Sequence, residues 1–319
     1  MSLVTVRKLP FALTAVVAAV GTVLAGGLAH AAPAHRHAAT ALATDETYFG
    51  DLDGDGKSDL AAVDSTGRLW VYPGLGYVYP PTGGPRPTSY FAKRFQAGTG
   101  WSKFTALVRH GDWNNDGKQD ILARDRQGRL FLYAGTGTRP AVVRNGVQVG
   151  TGWSSFLDIV GAGDADGDGF DDLMGRRNGK LTIYYGTGNA AAPFRRATVT
   201  SGQGWNGDLL TSTGDWNLDG RTDFLFRSTT DQVRQFWSTS TGFPSQRPLL
   251  IIEAGAGVRY IAGMGNLTSD SESGGIPITE PKPDIAYTDA AGYLWLLTDD
   301  TDIEFNHRIG SGWRGYRIF

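Results

Sequence analysis

An acidic decapeptide returns four times at near-equal spacing, and this repetition limits the fold more than any other feature of the chain. "DLDGDGKSDL" begins at Asp51, "DWNNDGKQDI" at Asp112, "DADGDGFDDL" at Asp164 and "DWNLDGRTDF" at Asp215, with starts 61, 52 and 51 residues apart. A fifth, interrupted copy begins near Asn266 and reaches its closing acid only at Asp284. A second mark keeps phase with the first: "GTGW" ending at Trp101, "GTGW" at Trp153, "GQGW" at Trp205, "GAGV" at Val258 and "GSGW" at Trp313. Two phased motifs with a period of about 50 residues indicate a repeat architecture, each repeat being one supersecondary unit.

Within a repeat, "FTALVRHGD" reads as a strand entering the acidic loop and "DILARD" as a strand leaving it. "GRLFLYAG" is a third strand, opened by a glycine turn, and "VRNGVQVGTGW" supplies a fourth. No segment sustains a helical period, and 45 glycines suit many short strands and tight turns. Four antiparallel strands per unit describe a propeller blade. The expected fold is therefore all-β: a propeller of five four-stranded blades over 47–319. In "GWRGYRIF" the chain stops at Phe319, which aligns with Leu107, while Thr47 in "TYFGD" aligns with Val108. The last strand is thus expected to complete the first blade and close the ring.

The segment before the repeats has another character. Arg7 and Lys8 precede an Ala-rich apolar run from Phe11 to Leu28, and Ala29-His30-Ala31 offers small residues for cleavage. This predicts a Sec-type signal peptide over 1–31, and hence a secreted, extracellular protein with no membrane insertion after cleavage. Residues 32–46 read as a flexible spacer. Without the leader, 28 basic residues face 32 acidic ones, which argues against nucleic acid as a partner. The chain contains no cysteine, so an exported form needs a brace other than disulfides.

The hairpins suggest that brace. In the first loop Asp51, Asp53 and Asp55 occupy positions 1, 3 and 5, Gly56 permits the sharp turn at 6, Lys57 offers a carbonyl at 7, and Asp59 closes the loop at 9. The second loop places Asp112, Asn114, Asp116, Lys118 and Asp120 at these positions. The third has Asp164, Asp166, Asp168, Phe170 and Asp172, and the fourth Asp215, Asn217, Asp219, Arg221 and Asp223. Six to eight oxygens are what Ca²⁺ requires. An EF-hand would need Glu at position 12 and flanking helices, but position 12 is Ala62, Ala123, Gly175 and Phe226 and the flanks are strands. The pattern predicts about four structural Ca²⁺ ions. At calcium ten times the dissociation constant each would add about 1.4 kcal/mol.

These residues resemble the FG-GAP (VCBS) repeats of integrin-like calcium-binding β-propellers, in a secreted bacterial type, over about 47–319. The resemblance implies that each "DxDxDGxxD" hairpin joins the first two strands of a blade and binds calcium. Integrin propellers usually have seven blades, whereas this chain shows five units. The fifth hairpin, "NLTSDSESGGIPITEPKPD", carries an insertion, and loss of its site is expected.

No GxSxG, HExxH or P-loop pattern is present, and only His110 and His307 fall within the repeats. His110 aligns with Ala162 and Thr213, so it reads as filler. The expectation is a non-enzymatic binding module. Trp101, Trp153, Trp205 and Trp313 recur near blade edges, and Arg124, Arg176 and Arg227 recur two residues beyond the start of "LLAR"-type strands. They read either as inter-blade packing or as shallow sugar pockets, one per blade, an arrangement similar to small β-propeller lectins; Val258 would leave one pocket dead. The function expected is lectin-like binding of cell-surface or cell-wall glycan. The alternative is a protein-interaction or adhesion module, or a subunit of a larger secreted toxin or adhesion assembly.

Overall fold

The computed structural model describes residues 49–79, 87, 89–195, 204–229, 232–244, 249–252, 257–270, 283–299 and 304–319. The expected signal peptide, the spacer and Thr47 lie outside the described residues.

The strands run in chain order as β1 (Leu60–Val63), β2 (Leu69–Tyr72), β3 (Tyr77–Tyr79), β4 (Phe95–Gly98), β5 (Phe104–Val108), β6 (Ile121–Asp125), β7 (Leu130–Tyr133) and β8 (Val147–Gly150). They continue with β9 (Asp158–Gly163), β10 (Asp172–Arg177), β11 (Lys180–Tyr184), β12 (Gly207–Gly214), β13 (Asp223–Ser228), β14 (Val233–Phe236) and β15 (Leu249–Ile252). The last are β16 (Val258–Gly265), β17 (Thr268–Asp270), β18 (Asp284–Asp289), β19 (Tyr293–Asp299), β20 (Glu304–Ser311) and β21 (Arg317–Ile318).

Five antiparallel blades result. Blade 1 has the order β21-β1-β2-β4, blade 2 β5-β6-β7-β8, blade 4 β12-β13-β14-β15 and blade 5 β16-β18-β19-β20. Blade 3 shows β9-β10-β11; residues 196–203 lie outside the described residues.

Each blade covers its neighbour, which explains the apolar pattern. Ile121 packs toward blade 1 with Val63, Val71 and Phe104. Its neighbour Leu122 points the other way, toward Ile159 and Leu173 of blade 3. A strand buried on both faces reads as a continuous apolar run rather than an alternation, as "LAAV" and the first three residues of "ILARD" do. Among the described residues five such wedges of core occur, one at each blade junction.

The innermost strand of blade 1 comes from the far end of the chain. Ile318 pairs with Ala62 and Arg317 with Val63, the Phe319 amide donates to the Ala61 carbonyl at 3.2 Å, and the Asp59 amide donates to Gly50 at 3.0 Å. The register differs by one residue from the sequence alignment. Leu107 pairs with Ala123, so Ile318, and not Phe319, takes the place of Leu107. The cause is a bulge in β5 between Phe104 and Ala106. A second link crosses the same seam: β17 pairs in parallel with β3, Thr268 opposite Tyr77.

Candidate metal hairpins and the axial channel

In all four hairpins the first aspartate folds the loop around itself. Asp51 accepts from the amides of Gly54 at 2.7 Å and Gly56 at 2.8 Å. Asp112 accepts from Asp116 and Gly117, Asp164 from Gly167, Asp168 and Gly169, and Asp215 from Asp219 and Gly220. The glycine at position 6 has φ between 81° and 88° in each copy, a left-handed conformation that explains its recurrence.

The closing aspartate is the deeper anchor. Asp59 accepts from the Leu52 and Asp53 amides with one oxygen and from Gly74 with the other. Asp120, Asp172 and Asp223 likewise reach the amides of Gly135, Gly186 and Ser238. Asp284, beyond the insertion, still accepts from Leu267 at 3.0 Å. The fifth hairpin therefore keeps the frame of the loop, while residues 271–282 lie outside the described residues.

The carboxylates converge. Oxygens of Asp51, Asp53 and Asp59 lie within 4.8 Å of one another, as do those of Asp112, Asp116 and Asp120, and of Asp164, Asp166 and Asp172. Oδ1 of Asp53 and Oδ2 of Asp120 are buried without a hydrogen-bond partner. Orphaned carboxylate oxygens in an all-oxygen cluster fit a hard divalent cation. The protonation balance agrees. Burial, with Asp53 nearby, pushes the Asp59 carboxyl up to about 7. Burial likewise pushes Asp120 and Asp223 up to about 7 and Asp172 to about 8. A bound cation would reverse these shifts.

Arginine supplies part of the compensation. Arg139 reaches Asp53 at 2.6 Å and Asp55 at 3.3 Å. Arg195 reaches both Asp166 and Asp168 at 2.7 Å. Arg139 arrives in a loop of blade 2 that lies on the hairpin of blade 1. A Cβ on Gly54 would sit 2.1 Å from the Gly137 carbonyl oxygen, so only glycine fits there.

The recurrent tryptophans are not surface platforms. Trp101, Trp153, Trp205 and Trp313 are 4, 7, 3 and 8 % exposed. Each lies against the tyrosine or phenylalanine that ends a third strand: Tyr133, Tyr184, Phe236 and Tyr72 at 4.7–4.9 Å between ring centroids. Val258 occupies the same slot, buried with Ile285. The repeated arginines are latches. Arg124 donates to Trp153 O at 3.2 Å and Phe156 O at 2.5 Å, Arg176 to Trp205 O at 3.1 Å and Gly207 O at 2.8 Å, and Arg227 to Val258 O. Each ties one blade to the next. The sugar pockets expected around these residues are thus filled by the protein itself: the indole faces are covered and the guanidinium donors are used.

A concavity lies elsewhere, on the ring axis. A cavity of about 260 Å³ follows the ring axis, walled by the five innermost strands. Of these strands, β5, β9 and β12 begin at one mouth and end at the acidic hairpins, so mouth and hairpins occupy opposite faces. Leu157 at the mouth is 61 % exposed and Tyr260 37 %. His110 lies at the hairpin end, stacked on Phe49 with centroids 4.0 Å apart. Sequence reasoning missed the mouth because its residues do not repeat.

The fold and hairpins together define a β-propeller with acidic inter-strand loops. Residues 112–175, covering the hairpins of blades 2 and 3, match the FG-GAP-like repeat family. No curated protein matches the chain in sequence. Among solved structures it is similar to the BP39L lectin from Burkholderia pseudomallei, at 13% identity over 83% of this chain and 68% of that one, with a TM-score of 0.41. It is also similar to AofleA from Arthrobotrys oligospora, at 11% identity over 84% and 73%, TM-score 0.39. A third is BBS1N, solved in complex with ARL6DN, at 11% over 83% and 82%, TM-score 0.37. Among the described residues no helix is long and apolar enough to cross a membrane.

Proposed function

We propose that this protein is a secreted, non-catalytic propeller, braced by structural Ca²⁺ in its four intact hairpins, that binds glycan at the mouth of its axial channel. The observation that carries the reading is the mouth itself: a small concave site with an exposed aromatic ring, Tyr260, and an exposed apolar side chain, Leu157, held on rigid inner strands. Such a site loses little entropy of ordering on binding. The two rim acids, Asp158 and Asp208, are engaged by Arg176 at 2.6 Å and Arg227 at 2.7 Å, which suits a binding surface better than acid–base chemistry. The calcium assignment rests on the convergent carboxylates and the orphaned oxygens of Asp53 and Asp120.

One axial site replaces one site per blade. A single ring should therefore bind one sugar unit weakly, about millimolar or −4 kcal/mol, and gain avidity only when several rings share a surface. The test is a glycan array probed with the calcium-saturated protein and with Tyr260→Ala. Binding that is lost in the variant supports the reading. Absence of binding at any glycan density overturns it in favour of the protein-interaction alternative.

A further inference from the structure

The mouth of the channel breaks the symmetry of the ring. In blades 2, 3 and 4 the latch arginine stands on the second strand, and its Nε donates to an inner-strand side chain: Thr105 at 3.0 Å, Asp158 at 2.6 Å and Asp208 at 2.7 Å. In blades 5 and 1 the arrangement is inverted. The arginine stands on the inner strand, as Arg259 and Arg317, while the second-strand position is Thr288 or Val63. Neither Thr288 nor Val63 carries a charge. Arg259 and Arg317 therefore have no carboxylate partner among the described residues, and they lie on adjacent blades.

Arg317 is poised as well as unpaired. Its Nη1 donates to the Phe104 carbonyl at 2.9 Å, which fixes the guanidinium. Its Nη2 is buried without a partner. Burial lowers its pKa and the neighbouring Tyr260 phenol raises it in part. An unsatisfied, desolvated donor of this kind gains most from a charged acceptor.

We infer that the mouth, whose cavity Arg259 and Tyr260 of blade 5 and Arg317 of blade 1 line together, is a carboxylate-binding site whose ligand is a sugar residue of the hexuronate class. The inference rests on the glycan-binding reading and narrows it. The planar fork of arginine matches a carboxylate. A phosphate dianion suits the site less, because Asp158 and Asp208, although paired, keep negative charge on the same rim. Tyr260 offers a ring face to the sugar, and Asp208, 67% exposed in its side chain, accepts sugar hydroxyls. The cavity, about 260 Å³, is below the roughly 300–1,000 Å³ typical of drug-sized ligands and suits a single sugar unit.

The test is titration calorimetry of the calcium-saturated protein with glucuronate, glucose, inorganic phosphate and an N-acetylated dialanine. Glucuronate should bind and the other three should not compete. Arg259→Gln, whose native side chain makes no bond to the fold among the described residues, should weaken glucuronate about tenfold or more at an unchanged melting midpoint. Arg317→Lys keeps the charge, loses the fork and should weaken it too. Equal binding of glucose, or full glucuronate affinity in a folded Arg259→Gln, overturns the inference; dialanine taking the site overturns its sugar part. If neutral glycans bind on the array while glucuronate does not, this inference falls and the glycan reading stands. If no glycan binds, both fall.

Discussion

Arg139 places its Nε 2.6 Å from Oδ2 of Asp53, a residue 86 positions earlier in the chain. A cation from blade 2 thus rests on the acidic hairpin of blade 1. It neutralises part of a cluster whose carboxylates would otherwise repel, and it sits beside the oxygens assigned to calcium.

Chelation should lower the thermal midpoint, and added Ca²⁺ should restore it. In chelator, Arg139→Gln should cost up to about 1 kcal/mol, since the arginine is half exposed. In calcium that cost should shrink. Melting curves of both proteins with EDTA and with Ca²⁺ check this. No response to chelator, with no calcium by elemental analysis, would sink the metal assignment.

The closing aspartates make the pH response depend on calcium. Without metal, Asp59, Asp120 and Asp223 titrate near 7 and Asp172 near 8, raised by burial. A carboxyl raised above its unfolded value of about 3.9 stabilises the fold at low pH, and that stabilisation is lost as pH rises through the folded value. The chelated protein should thus melt higher at pH 5.5 than at pH 8. With calcium the order should reverse, because protons displace the cation. Paired pH–melting series decide it.

Trp153 should behave as core. It packs with Phe156, Tyr184 and Leu130 in the wedge between blades 2 and 3. Trp153→Ala should cost about 3–5 kcal/mol, measured by denaturant unfolding. A loss under 1 kcal/mol would restore the indole as a candidate ligand platform. Arg176→Met should be comparably harmful, because it strands Asp158 and frees the Trp205 and Gly207 carbonyls.

Deleting residues 313–319 removes Trp313, β21 and Arg317 together. The wedge holding Leu60, Ala62 and Leu296 then loses one wall. The expected result is global destabilisation, read as earlier melting and raised protease sensitivity. Unchanged melting would show that β21 contributes little.

The repeating parts of the molecule were legible in the sequence because periodicity exposes them. The oxygen positions of the hairpins, the five blades and the C-terminal segment matching an inner strand all recur or align. The role of the tryptophans was not legible, because a buried and an exposed "GxGW" look the same in sequence. Their burial depends on partners such as Tyr184, contributed by another strand. The arginine brace of the hairpins was not legible for a related reason: Arg139 meets Asp53 only through the fold. The channel mouth was invisible because Leu157, Asp208, Tyr260 and Arg317 break the repeat instead of following it.

The two-residue strand β21 imposes an order of assembly. Blades 2, 3 and 4 can form their hydrogen-bonded ladders from contiguous stretches of chain. Blade 1 cannot, because its innermost strand appears after every other described strand. During synthesis the first blade therefore stays incomplete, its inner edge unpaired, until Arg317 and Ile318 arrive. The same event adds Arg317 to the cavity that Arg259 already lines, so the channel mouth acquires both of its cations that lack a carboxylate partner among the described residues only when the ring is whole.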